Sequence, residues 1–302
     1  MPELPEVEVV RRGLESHVVG RRILDVDVTG ARTARRQPGG PAEIVARLRD
    51  RVVTGAGRRG KYLWLTLDGE HSAGADCLLV HLGMSGQMLV TTSDAPQVRH
   101  LHARALLDDG RELRFVDQMT FGGWTVVPLA EAADGTQVLL PAPAAHVAAD
   151  PFEPGFDEQA TARTIRRRDT EIKRLLLDQT VVSGIGNIYA DEALWRSGVH
   201  GRRRAGALTL ATVRGVLGHA RDVMSDALAA GGTSFDALYV NVNGASGYFD
   251  RSLDVYGQAG RPCARCGTPV VREDFMNRGS HFCPACQAAP RRGGARRARS
   301  VR

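Results

Sequence analysis

The chain has 302 residues, 43% of them hydrophobic, with a formal net charge of +6 and a pI near 9.4. That is ample for a core and suggests two domains, and the basic balance favours a polyanionic partner such as nucleic acid. No stretch reaches the ~20 apolar residues of a membrane span, the acidic N-terminus lacks a signal-peptide pattern, and five cysteines including two C-x-x-C pairs point to metal in a reducing, cytoplasmic compartment.

The chain begins Met1-Pro2-Glu3-Leu4-Pro5-Glu6-Val7-Glu8. With Met1 removed, Pro2 offers a secondary α-amine, and an α-amino group titrates near ~7.7, so part of it is nucleophilic at neutral pH. Attack on an aldehyde-like carbon gives an iminium, a covalent electron sink. Glu3 and Glu6 lie within reach as acid/base partners. Pro5 suits the first turn of a helix, and Val7, Val10, Leu14 and Val18 recur at helical spacing. Taken alone, the same residues read more readily as an ordinary helix whose acids favour the macrodipole.

Residues 1–135 read as mainly β behind that helix. Ile23–Val28 alternates as a strand. Ala31–Pro41 is a loop carrying Arg32, Arg35 and Arg36, either a phosphate contact or a solvated loop, and Ile44–Leu48 is a short helix. Arg58-Arg59-Gly60-Lys61 suggests a backbone-approach site for phosphates. The strand Tyr62–Leu67 follows, closed by the turn pair Asp68-Gly69. Leu78–Leu82 is a buried strand; Cys77 reads as a small core residue and His81 as a hydrogen-bonded core histidine. Met84 and Phe121 each sit beside glycines in loops. His100-Leu101-His102 opens a strand, and Asp109-Gly110 tips a hairpin.

Residues 136–158, rich in Ala, Pro and Asp, read as a linker. From 159 the period turns helical: a basic run Arg163, Arg166, Arg167, Arg168, then a helix carrying Lys173, then a glycine break at Ser183–Gly186. A new helix starts near Asn187 and ends at Gly198, a helix-turn-helix-like layout. Asn187 serves there as a cap, and a helix N-terminus behind glycines also binds phosphate. A long helix over 209–230 completes a unit running to 250. Over 251–290, Cys263-x2-Cys266 and Cys283-x2-Cys286 form a four-cysteine site for one structural Zn2+, with Arg278 near the tip of a hairpin between the pairs. Residues 291–302 hold six arginines and no acids, a salt-sensitive DNA-binding tail.

The chain strongly resembles the bacterial formamidopyrimidine-DNA glycosylases, the Fpg branch of the Fpg/Nei family. The likeness rests on Pro2–Glu8, Lys61-Tyr62, His81–Gly86, Gly184–Ala190, Gly247-Tyr248-Phe249, Val255-Tyr256-Gly257 and the four-cysteine finger. It implies an α+β, two-domain fold: an N-terminal β-sandwich with flanking helices, then a helix–two-turn–helix domain and a zinc-finger β-hairpin. It implies a monomeric base excision repair enzyme, with no organic cofactor, on double-stranded DNA containing an oxidised purine or abasic site. Pro2 becomes the nucleophile, Glu3 its acid/base partner supported by Glu6, Lys61 the lysine of base release and β-elimination, and Arg278 the finger arginine of δ-elimination. His100, Arg168, Lys173 and Asn187 become DNA contacts. Met84 and Phe121 become wedges filling the gap of a flipped base, and the Thr233–Tyr248 loop closes over that base.

One position departs. The family carries Arg two residues before this Phe, to hydrogen-bond the orphaned opposite base; here it is Met119, which has no donor. Three other readings are an endonuclease VIII-like glycosylase for oxidised pyrimidines, against which Leu4 argues, a damage-binding protein with little glycosylase activity, and a zinc-finger regulator, which leaves the N-terminal residues unexplained.

Overall fold

A computed structural model describes residues 2–71, 74–232, 242–243 and 253–290. The N-terminal half opens with α1 (Leu4–His17), whose Val7, Val10 and Leu14 are buried on one stripe as the spacing predicts. Two antiparallel sheets follow. One pairs β1 (Ile23–Val28), β6 (Leu101–Leu107), β7 (Arg111–Asp117) and β5 (Gly86–Thr92) in that order. The other runs β2 (Val53–Arg59), β3 (Tyr62–His71), β4 (Gly74–His81), β8 (Gly123–Glu131) and β9 (Leu139–Pro141). Alternation sends Leu63, Leu65, Leu78, Val80, Trp124 and Val126 into a core shared with Phe115, α1 and α2 (Gly40–Leu48). Cys77 faces the opposite side of its strand among Trp64, Ala132 and Leu140, where burial pushes its thiol up to about 12.

Two expected boundaries move. Asp68-Gly69 does not close β3. Gly69 takes φ +83° where the β3–β4 register shifts between Thr66 and Glu70, so the pair makes a bulge and the strand continues. Residues 139–141, expected in the linker, form β9 and complete the five-stranded sheet.

The second half is helical: α3 (Glu158–Arg167), α4 (Ile172–Leu177), α5 (Asn187–Arg196) and α6 (Leu210–Ala229). Asp157 and Thr209 cap α3 and α6 through their side chains. β10 (Val271–Phe275) and β11 (Arg278–Phe282) form the expected hairpin. Its two-residue loop, Met276-Asn277, has φ +48° and +60°, the left-handed pair that matches strand twist.

The halves interlock. Leu4 is buried in the helical core, not the sandwich core, and its N–H donates to the Gly184 carbonyl at 3.2 Å. Burying one leucine is worth about 2 kcal/mol. Asp150, fully buried, accepts from Arg58 Nη1 at 2.6 Å and Gly60 N at 2.9 Å, while Arg59 bonds Glu153 and Asp134. This corrects one expectation. Arg58 and Arg59 do not face phosphate; they are buried in ion pairs to the connecting segment, and Gly60 meets protein backbone instead. A Cβ on Gly60 would come within 2.9 Å of Gly184 N.

Candidate active site

The site forms where α1, the β2–β3 turn, α5 and the finger hairpin meet. Pro2 and Glu3 are both buried. The Glu3 carboxylate sits on the open N-terminal amides of α5, accepting from Ile188 N at 3.0 Å and Tyr189 N at 3.4 Å. Those amides are the phosphate site expected behind the glycines; in this fold a side-chain carboxylate takes it, by the same dipole and donor logic. Glu6 Oε2 accepts the Glu3 N–H at 2.9 Å, and its Oε1 accepts the Tyr189 hydroxyl at 2.9 Å, so Glu6 braces the turn that carries Pro2 and Glu3.

Lys61 stands in the two-residue turn between β2 and β3, half-buried, with Nζ donating to the Ile185 carbonyl at 3.0 Å. Burial lowers the Lys61 ammonium; the Glu3 carboxylate opposes this and the nearby Arg278 guanidinium adds to it. Burial likewise raises the Glu3 carboxyl, against the pull of Lys61. An acid and a base are thereby brought towards each other in proton affinity beside Pro2. Arg278 begins β11 as expected, and with Arg168, Arg174 and Met276 it lines a depression of about 400 Å³ beside this centre.

Away from it, Met84, Met119 and Phe121 stand out from two loops of the sandwich, 44%, 40% and 47% exposed, at the same end of β4 and β8. Exposed apolar residues so grouped need a reason. Their loops are rigid: Asp117 accepts from Ser85 Oγ and from Gly122 N, Ser85 Oγ accepts from Met119 N at 2.8 Å, and a Cβ on Gly83 would lie 2.5 Å from Gly122 N. Arg32 bonds Thr120 Oγ1, and Arg35 bonds the Thr120 and Phe121 carbonyls. The arginines of the 31–41 loop therefore buttress these loops, a role sequence reasoning missed because the contacts span about 85 residues.

His100 takes φ +64° just before β6, and its carbonyl accepts the Asp117 N–H at 3.0 Å. Asn187 Nδ2 donates to the Gly279 carbonyl at 2.8 Å, tying α5 to the finger. Lys173 is corrected: it is 0% exposed, with Nζ 2.5 Å from Asp191 Oδ1, and has no open face for a phosphate. His81 is also not core. It lines a cavity of about 410 Å³ with Arg36, Tyr62 and Thr125, its Nδ1 accepts Gly83 N–H at 3.1 Å, and burial with the charges of Arg36 and Arg35 pushes it down to about 4. Tyr248, most of the Thr233–Tyr248 loop and the 291–302 tail lie outside the described residues. Of that loop, Val242 is buried against Gly13 of α1, and its carbonyl accepts Val90 N–H at 2.8 Å.

In the finger, the Sγ atoms of Cys263, Cys266, Cys283 and Cys286 all lie within 4.8 Å of one another. Tetrahedral zinc with ~2.3 Å bonds needs sulfurs about 3.8 Å apart, so the donor set fits one Zn2+. The Trp195 indole N–H donates to Cys263 Sγ at 3.4 Å, joining finger to α5.

A strand-rich domain and a helical domain close together on the buried Pro2 and Glu3 with a four-cysteine hairpin at the rim, the architecture of the helix–two-turn–helix DNA glycosylases that the chain matches. The chain belongs to the formamidopyrimidine-DNA glycosylase family. It matches that family's N-terminal domain over residues 1–124, its H2TH domain over 147–238, and the zinc finger found in FPG and IleRS over 260–289. It is 60% identical over 296 residues to the formamidopyrimidine-DNA glycosylase of Nocardia farcinica, covering 97% of this chain and 100% of that one. Identity to the Mycolicibacterium vanbaalenii enzyme is 59% over 297 residues, 96% of this chain and 100% of that one. A Lactococcus lactis Fpg variant bound to Fapy-dG-containing DNA superposes with a TM-score of 0.81 at 30% identity, over 95% of this chain and 100% of that one. A MutM complex with DNA containing carbocyclic 8-oxo-G gives the same score, identity and coverage. The protein is accordingly a DNA glycosylase of base excision repair with abasic-site lyase activity and a structural zinc site.

Proposed function

We propose that this glycosylase excises oxidised purines from double-stranded DNA through Pro2. The observation that carries the reading is the Glu3 carboxylate, buried on the α5 amides one residue from Pro2 and offset in proton affinity by Lys61. With Met1 removed, the Pro2 nitrogen attacks C1′ of the damaged nucleotide. The glycosidic bond breaks, its electron pair leaves with the base, and Lys61 assists that departure. The Pro2 nitrogen gives up its N–H proton, which neutralises the departed base; Glu3 delivers a proton to the sugar ring oxygen, the ring opens, and the Pro2 nitrogen becomes the iminium. Loss of a C2′ proton then expels the 3′ phosphate, and loss of a C4′ proton expels the 5′ phosphate with Arg278 gripping it. Met84, Met119 and Phe121 enter the duplex where the target base leaves it. Arg168, His100 and Asn187 line the approach of the backbone. Cys263, Cys266, Cys283 and Cys286 would hold a zinc ion that fixes the hairpin carrying Arg278 and takes no part in the chemistry.

Borohydride trapping on duplex DNA with one 8-oxoguanine opposite C tests this. The expected adduct is on Pro2 of a chain lacking Met1; Pro2→Gly, which keeps only a primary α-amine, is expected to slow its formation, and a chain with its α-amine blocked is expected to give none. An adduct on a lysine, or none on either this duplex or an abasic one, overturns the reading.

A further inference from the structure

One face of α5 holds three consecutive residues of the finger strand. Asn187 and Asp191, four apart on that face, grip β11 together. Asn187 Nδ2 reaches the Gly279 carbonyl at 2.8 Å, and Asp191 Oδ1 accepts from Ser280 Oγ at 3.1 Å. Asp191 Oδ2 accepts the His281 N–H at 2.8 Å and lies 3.5 Å from His281 Nδ1. The carboxylate is 1% exposed, and its counter-ion is the equally buried Lys173 at 2.5 Å. Lys173 Nζ also lies 5.3 Å from the centre of the Phe275 ring, and Phe275 is the cross-strand partner of Arg278. The same ammonium therefore braces both strands of the hairpin at its tip.

Strand geometry carries the consequence. Side chains two apart leave a strand on the same side. Ser280 is turned onto Asp191, so Arg278 is turned to that side too. A slip of one residue in this contact would swing the guanidinium to the other face.

We infer that Asp191, anchored by Lys173, is a positioning residue for Arg278: it sets the direction in which the finger arginine enters the cleft. This rests on the reading that Arg278 serves the second elimination. The arrangement also answers why the chain buries a lysine and an aspartate at all, since such a pair costs desolvation that packing alone would not require.

The test uses the full-length, zinc-loaded protein on an abasic-site duplex and reads the fraction of cut ends carrying 3′-phosphate, the δ-elimination product, against the 3′-unsaturated aldehyde of β-elimination. Borohydride trapping rate and zinc content are measured alongside. Arg278→Ala is the reference and is expected to lower the δ fraction at least fivefold. Asp191→Asn is expected to approach that loss, and Ser280→Ala to give about half of it on a logarithmic scale. Both are expected to trap at close to the unsubstituted rate with full zinc. If Asp191→Asn strands the Lys173 charge and loses zinc, the Lys173→Met/Asp191→Asn double variant, which removes that charge, is read instead with the same expectation. A shifted ratio in Arg278→Ala with unchanged ratios in the Asp191 and Ser280 variants overturns the inference and leaves the function intact. An unchanged ratio in Arg278→Ala overturns the role given to Arg278, and the inference with it.

Discussion

A Cβ added at Gly186 would lie 2.2 Å from Cδ of Glu3. The glycine is the space into which the carboxylate fits as it caps α5, and a methyl group there must push it off the helix amides. Gly186→Ala is expected to lower single-turnover excision by about 100-fold, the usual cost of misplacing a reacting group by ~1 Å. Gly186 has an extended backbone at φ −119° that alanine adopts without strain, so the fold should survive. Equal excision rates in the two proteins would refute the placement of Glu3.

Glu8 gives a pH prediction of known sign. Its carboxylate bonds Arg11, Arg12 and Arg58, and against burial Arg11 and Arg58 hold its pKa down at about 2. A depressed acid stabilises the fold above its unfolded pKa, and that contribution is lost as pH falls through the folded value. The unsubstituted protein should therefore melt higher than Glu8→Gln at pH 7, with the gap closing between about pH 4.5 and 2. Stability at pH 7 is expected to drop by about 2 kcal/mol, less than for a fully buried pair because Arg11 is 17% exposed and solvent screens its share. Thermal melts across that range check it; a gap that widens on acidification contradicts it.

Met119 predicts weak reading of the opposite base. Its N–H is fixed by Ser85 and Asp117, so the side chain is aimed, yet it carries no hydrogen-bond donor. Excision of 8-oxoguanine opposite C and opposite A should differ by less than about tenfold, and Met119→Arg should widen the ratio by about tenfold, the worth of one hydrogen bond to a charged donor. A strong preference for C in the unsubstituted protein would remove the idea.

Zinc removal should cost the second elimination before the first. The hairpin stands on the four-cysteine site, while Pro2, Glu3 and Lys61 stand on α1, α5 and the β2–β3 turn. Chelation, or Cys283→Ser, is expected to release one zinc and to abolish most 3′-phosphate formation. Iminium trapping on an abasic duplex should fall by about tenfold through weaker DNA binding. Unchanged 3′-phosphate yield in zinc-free protein would separate Arg278 from the finger's support.

What the chain declared by itself was local. The stripe of α1, the Asp109-Gly110 hairpin, the helix starts at Asn187 and Thr209 and the cysteine pairs each rest on neighbours within a turn or a strand, and each stands where the pattern put it. Tertiary structure alone decided which charges meet. Arg58 and Arg59 look like phosphate hands until Asp150 and Glu153 arrive from about 90 residues away. Lys173 looks exposed until α5 brings Asp191 beneath it. The α5 amides look like a phosphate site until Glu3 occupies them. A long polar side chain has the same local signature in water and in a buried pair; only the partner, set by the packing of distant elements, tells the two apart.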